Sequence, residues 1–286
     1  MMLRELLMTS RPVSWVNTAY PFAAAYLLAA GRIDWIWVVG TFFFLVPYNL
    51  AMYGINDVFD YESDLLNPRK GGAEGAVVDR SRHRGILAAC AVACLPFLVV
   101  LGIVGSWQAN LVLLVSMAAL YAYSAPHLRF KERPFLDSLT SSTHFVSPAL
   151  YGLALAGAGF DAALVAILLA FFLWGVASHA FGAVQDIVPD RAASLGSIGT
   201  ALGAKWTVRF AAAAYFAAGA LLLFTDWPGP LAGLLALPYL ANVLPHARLD
   251  DEDSARAHAG WVRFLWLNYA TGFLVTMLLI WYALSR

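Results

Sequence analysis

The chain has 286 residues, of which 61% are hydrophobic and 13% charged, whereas an ordinary soluble domain has about 45–50% and 25%. Its formal net charge is zero. This composition excludes an ordinary water-soluble domain and indicates lipid as the solvent, and no nucleic-acid partner is expected.

Apolar runs of about 20 residues recur along the chain, and each could cross a hydrocarbon core as a helix. They predict an all-α, multi-pass membrane protein with nine transmembrane helices and one domain over residues 1–286. The predicted spans cover residues 14–30, 34–55, 85–104, 107–123, 138–157, 161–182, 208–224, 228–245 and 261–283.

The basic residues predict the orientation of these spans. If the N-terminus is cytoplasmic, all of the 18 Lys and Arg residues except Arg32 and Arg286 fall on the cytoplasmic side. This partition follows the positive-inside rule. The sequence therefore predicts a cell-membrane protein whose longer, charged loops, and with them its active site, lie at the cytoplasmic face.

An acidic motif follows the second predicted span. Asn56, Asp60 and Asp64 recur every four residues, so on a helix they would share one face. Like charges at this spacing repel each other, and the penalty grows at the edge of a bilayer. A hard divalent cation would offset them, since Mg²⁺ takes one or two carboxylates and completes its shell with water and phosphate oxygens.

A second acidic motif follows the sixth predicted span. Asp186 and Asp190 repeat the four-residue spacing, and Pro189 between them predicts a bend or a new helix start. Two such segments facing each other could hold two Mg²⁺ ions with a diphosphate between them. The expected metal ligands are Asp60, Asp64, Asp186 and Asp190.

Cations accompany both motifs, and Arg and Lys are the usual partners of phosphate oxygens. Arg and Lys residues follow the first motif, the second motif and the fourth predicted span, at Arg69, Lys70, Arg129, Lys131, Arg133, Arg191 and Lys205. Their coincidence with the carboxylates indicates a phosphate site.

With these motifs the sequence resembles the UbiA superfamily of intramembrane prenyltransferases along its whole length. The segments at residues 10–21, 54–72 and 123–134 look most like the bacterial lycopene elongases of C50 carotenoid synthesis. The second motif departs from many relatives, because Ala183 and Ala193 stand where a third Asp could be.

The resemblance implies a UbiA-type helical bundle and a Mg²⁺-dependent active site. It assigns the diphosphate site to Asn56, Asp57, Asp60, Asp64, Asp186 and Asp190. It also implies that Arg69, Lys70 and Lys131 contact phosphate oxygens and that Tyr123 lines the site, with Arg129 and Arg191 as further candidates.

In the expected reaction, dimethylallyl diphosphate ionises and lycopene, dissolved in membrane lipid, captures the allylic cation. The product cation then loses a proton or takes up water, and His144, His179, Glu62 or the diphosphate could accept the proton. Other acceptors, such as an aromatic quinone precursor, remain open. The acids could instead serve an ion-coupled transporter, or the chain could be a non-catalytic subunit that supports a carotenoid-modifying partner.

Overall fold

A computed structural model describes residues 2–65 and 78–285 and shows an all-helical fold within those ranges. The fourteen α-helices there, numbered in chain order, are α1 Met2–Thr9, α2 Val16–Ala30, α3 Trp35–Leu45, α4 Pro47–Phe59, α5 Tyr61–Leu65, α6 His83–Val104, α7 Trp107–Ser124, α8 Leu136–Leu155, α9 Ala162–Val184, α10 Ile187–Ala192, α11 Ile198–Leu222, α12 Gly229–Gly233, α13 Ala236–Val243 and α14 His258–Leu284.

Side-chain caps explain several of the helix starts. Asp34 accepts a hydrogen bond from the Trp37 backbone N–H at 3.0 Å, and Asp161 accepts one from Leu164 at 2.7 Å. Such bonds satisfy backbone N–H groups that have no partner within the helix. Ser197 begins α11 with a capping box. The all-α prediction is confirmed, and helix occurs in each predicted span.

Two predicted spans are broken, and one helix is longer than predicted. The second span divides into α3 and α4, because Pro47 has no N–H to continue α3. The eighth divides into the short helices α12 and α13. Helix α11 begins at Ile198 and not near residue 208, and it kinks at Gly203, whose φ of +75° is the left-handed conformation that glycine tolerates.

Four helical stretches in the described ranges are long and apolar enough to cross a membrane. They are Trp35–Phe59, Arg80–Val104, Ala162–Val184 and Asp251–Leu284. The other predicted spans coincide with shorter or more polar helices, such as α8 with its run of Ser, Thr and His. The number of spans and their orientation therefore stay predictions.

The chain divides into two compact units, each with its own core. Unit 1 comprises Met1–Phe130 and Thr143–Ala158, and unit 2 comprises Lys131–Ser142 and Gly159–Arg286. In unit 1 the core is a set of packed rings with centroids 4.9–6.0 Å apart, formed by Phe22, Phe43, Phe44, Tyr48 and Tyr151.

In unit 2 the core is built mainly by α9 and α11. Their contact is rich in fully buried small residues, including Ala177, Ala180, Ala204 and Ala211. Small side chains let helix backbones approach closely, and in lipid this close packing takes the place of the hydrophobic driving force.

Candidate active site

The first acidic motif lies in unit 1, at the end of α4. Asn56 and Asp57 belong to the last turn, and Asp60 closes the helix with its N–H bonded to the Asn56 carbonyl at 2.9 Å. The continuous helix expected through residue 64 is interrupted here, because the Asp60 backbone has φ −98° and ψ 0° and α5 begins at Tyr61. Asp64 belongs to α5, and its side chain lies outside the described part of the structure.

Asp57 is buried in an ion pair that the sequence did not predict. Its side chain is fully buried, and Oδ1 lies 2.7 Å from Nη2 of Arg11. The Arg11 guanidinium also lies over the Tyr53 ring, 4.2 Å from its centroid. Arg11 comes 46 residues earlier in the chain, so its spacing from Asp57 gives no sign of the contact. The one signal in the sequence is that Arg11 belongs to the segment at residues 10–21 that resembles the family.

Asp60 and Arg129 come together as a candidate phosphate and metal site. Asp60 is only 2% exposed, and its Oδ1 lies 3.6 Å from Nη2 of Arg129. Nη1 of Arg129 donates to the Phe59 carbonyl at 3.4 Å. The cation that the sequence placed among the phosphate-binding candidates therefore lies beside the first motif.

The end of α7 also contacts this motif. The Asn56 side-chain amide donates to Ser124 Oγ at 2.8 Å. The neighbouring Tyr123 packs its ring edge-on against buried His144, with 5.3 Å between the ring centroids. Tyr123 is thus next in sequence to a residue that contacts the motif.

Glu62, another candidate for accepting the proton, is exposed and pairs with Arg80.

The donors in unit 1 are of the kind that Mg²⁺ requires. Asp60 offers a buried carboxylate, and its Oδ1 lies 3.6 Å from Nη2 of Arg129, which is farther than in a tight salt bridge. Across residues 2–65 and 78–285, no cluster of three or more His, Cys, Asp or Glu side chains could hold a metal ion alone. Mg²⁺ does not require such a cluster, because one or two carboxylates suffice when water and substrate phosphates complete the shell.

The second acidic motif lies in unit 2, where α10 begins. Asp186 is the residue before α10, and the Asp190 N–H bonds to its carbonyl at 2.8 Å. Both side chains are half-buried. Pro189 occupies the first turn of α10, where a missing N–H is tolerated, so the expected new helix start near Pro189 is confirmed.

Arg191 has a partner that the sequence did not reveal. Its Nη1 lies 2.6 Å from Oδ2 of Asp251, and its Nη2 donates to the Thr200 carbonyl at 3.0 Å. The other Asp251 oxygen accepts from the Ala204 N–H at 2.6 Å, just after the Gly203 kink. This backbone N–H, assisted by Arg191, holds the pKa of Asp251 below its ordinary value.

Of the remaining predicted site residues, the structure describes Lys131 but not Arg69 and Lys70. Lys131 lies half-buried in a 3-10 turn, Phe130–Glu132. Arg69 and Lys70 lie outside the described residues. The structure thus groups Asn56, Asp60 and Arg129 in unit 1, and Asp186, Asp190 and Arg191 in unit 2.

The UbiA prenyltransferase family model matches residues 18–269, so this helical membrane protein is a prenyltransferase and belongs to that family. It is 57% identical over 281 residues to a C(50) beta-cyclic carotenoids biosynthesis protein of Dietzia sp. (strain CQ4), covering 98% of this chain and 65% of that longer protein. It is 52% identical to a lycopene elongase/hydratase of Corynebacterium glutamicum, covering 97% of both chains.

Solved structures share the fold. A UbiA homolog from Archaeoglobus fulgidus, bound to DMAPP and Mg²⁺, has a TM-score of 0.64 and 18% identity, covering 93% of this chain and 98% of that one. A UbiA homolog from Aeropyrum pernix K1 has a TM-score of 0.65 and 20% identity, covering 92% and 98%. At these identities the likeness shows the fold alone.

Proposed function

We propose that this prenyltransferase transfers dimethylallyl groups from dimethylallyl diphosphate to the ends of lycopene, giving C45 and C50 carotenoids. The observation that carries the proposal is the 52% identity to a lycopene elongase/hydratase over 97% of both chains. The donor is supported by the family fold, since a structural neighbour binds DMAPP with Mg²⁺.

In this proposal the first motif receives the diphosphate. Asp60 and Asp64 would hold Mg²⁺ there, and Asp186 and Asp190 would hold it at the second motif. When bound, Mg²⁺ stabilises the negative charge that develops on the departing diphosphate. Asn56 would orient the site through its bond to Ser124.

The arginines and lysines would offset the part of the diphosphate charge that Mg²⁺ leaves. Arg129, already beside Asp60, would contact phosphate oxygens, together with Arg69, Lys70 and Lys131. Guanidinium groups suit this task because their fork of N–H donors matches phosphate geometry. Tyr123 would line the pocket near the allylic group, where an aromatic face can stabilise positive charge.

The proposed setting is the cell membrane. The 286 residues would act as one intramembrane domain with nine spans, a cytoplasmic N-terminus and the acidic motifs at the inner face. The acceptor, a C40 hydrocarbon, would reach the site through surrounding lipid.

The test uses the purified chain in lipid nanodiscs with lycopene, dimethylallyl diphosphate and Mg²⁺, and products are identified by mass spectrometry. C45 and C50 products are expected, and EDTA should abolish them. Asp60→Ala and Asp186→Ala should each reduce turnover by at least about 100-fold, because each removes charge stabilisation from the ionisation step. Asp253→Ala is the control, since Asp253 is an exposed acid in unit 2.

Metal binding has its own readout. Mn²⁺ can replace Mg²⁺, and its bound fraction in the presence of diphosphate is measured by electron paramagnetic resonance. Asp60→Ala should weaken Mn²⁺ binding and Asp253→Ala should not. Undiminished turnover in both active-site variants would refute the metal roles, whereas prenylation of an aromatic acceptor but not of lycopene would refute the proposed acceptor.

A further inference from the structure

Helix α9 has one half-buried face along a stretch that is otherwise buried. From residue 175 to residue 184, the non-buried positions are His179 and Ala183. Asp186, also half-buried, follows at the spacing that continues the same face. His179 lies two helical turns, about 10 Å, from the second acidic motif, on the face that it shares with Ala183 and Asp186.

His179 is fixed on this face by the start of α8. Its Nδ1 lies 3.0 Å from Oγ of Ser138, whose side chain is buried. The adjacent Asp137 is fully buried, and its carboxylate accepts from the backbone N–H groups of Ser138 and Ile198, both at 2.7 Å. Asp137 also interacts electrostatically with the His179 ring.

Close packing keeps α8 against α9 at this level. Ser142 Oγ donates to the Phe172 carbonyl at 2.7 Å. A Cβ on Gly175 would clash with that same Ser142 oxygen, so glycine at this position permits the close approach. His179 and Ser138 therefore form a fixed pair of polar side chains where two apolar helices pack together. The proposed ionisation of the diphosphate and the attack by lycopene do not require this pair, so any role in the reaction begins when the product cation forms.

We propose that His179 and Ser138 bind the water that adds to the product cation and that His179 takes the proton from this water. The inference rests on the proposed function and assigns its final step. A bound water needs two to four polar partners, and the imidazole and the hydroxyl supply two of them. The nearby Asp137 carboxylate would stabilise the imidazolium that forms.

The donor C–O bond breaks with its electron pair leaving on diphosphate, and the terminal double bond of lycopene supplies the pair for the new C–C bond. This leaves a tertiary cation on the acceptor. The water oxygen bonds to that carbon and gives a proton to Nε2 of His179, whose Nδ1–H donates to Ser138. The product is a tertiary alcohol.

The experiment separates hydration from prenyl transfer. The full-length chain in nanodiscs is run in H₂¹⁸O, diphosphate release is measured, and products are sorted by mass into hydroxylated and dehydrated C45 and C50 forms. The wild type should give ¹⁸O-labelled alcohols. His179→Gln and Ser138→Ala should lower the hydroxylated fraction about tenfold or more, in keeping with general-base catalysis, while diphosphate release stays within about threefold.

Ser116→Ala is the control, because it removes a buried hydroxyl that bonds to the Val112 carbonyl on α7 and should leave the product ratio unchanged. The inference is overturned if wild-type products carry no ¹⁸O, if the ratio is unchanged in His179→Gln, or if Ser138→Ala stops diphosphate release in a folded protein. Wild-type protein that prenylates no lycopene would instead refute the proposed function.

Discussion

Replacing Arg11 by Met should destabilise the protein through the buried carboxylate it leaves behind. Removing one partner of a buried ion pair costs about 3–5 kcal/mol. The Arg11 side chain is 18% exposed and Asp57 fully buried, so the lower end, about 3 kcal/mol, applies. Loss of the contact with the Tyr53 ring adds about 0.5–1 kcal/mol.

The assay is reversible denaturant unfolding in mixed micelles, followed by tryptophan fluorescence. Arg11→Met, Asp57→Asn and the double variant form a cycle, and the double variant should lose less stability than the two single changes added together. Arg32→Met is the control, since its pair with Asp34 at 2.9 Å is exposed at the arginine and exposed pairs contribute little. Stability equal to wild type in Arg11→Met, or strict additivity in the cycle, would refute the reasoning.

Two further changes probe packing and the second motif. Gly152→Ala should lower the free energy of unfolding by about 1–3 kcal/mol, because its Cβ would lie 2.9 Å from the Phe22 carbonyl oxygen. Gly102→Ala is the control and should leave the stability unchanged, since its Cβ would meet open space. Equal melting curves for the two variants would contradict this prediction. Asp251→Asn should raise the KM for the diphosphate by loosening Arg191 beside the second motif. Because the folded pKa of Asp251 is lowered, its stabilising effect is present above its unfolded pKa of about 4 and is lost as pH falls through the folded value. The stability difference between wild type and Asp251→Asn should therefore vanish in acid, and a difference that persists there would refute the charge assignment.

The sequence predicted best those helices whose apolar runs have clear ends. Helix α7 was predicted over residues 107–123 and runs from Trp107 to Ser124, because Ser106 caps its start and the polar loop follows its end. Helix α9 has similar limits, with Asp161 as its cap. Local signals of this kind need no knowledge of the rest of the fold.

The misses depend on packing or on distant residues. The start of α11 was missed because its first turns contain Gly203 and Lys205, residues that in sequence favour a loop. The helix continues there because Asp251, from a distant part of the chain, accepts a hydrogen bond from the Ala204 N–H at the kink. The partners of Asp57 and Arg191 lie 46 and 60 residues away in sequence. Residue spacing along the chain gives no information about such pairs, so Asp57 and Arg191 were both interpreted only as site residues.

The structure distinguishes two carboxylates that the sequence treats alike. Asp57 and Asp60 are both buried at the end of α4, and each has an arginine. Arg11 lies 2.7 Å from Asp57 and also packs on an aromatic ring, whereas Arg129 lies 3.6 Å from Asp60 and comes from the loop after α7. We infer that the tight pair balances the charge of Asp57 and holds the end of α4 in place. The longer Arg129 distance is compatible with the proposed function, in which Asp60 would contact a metal ion and Arg129 would contact the phosphates.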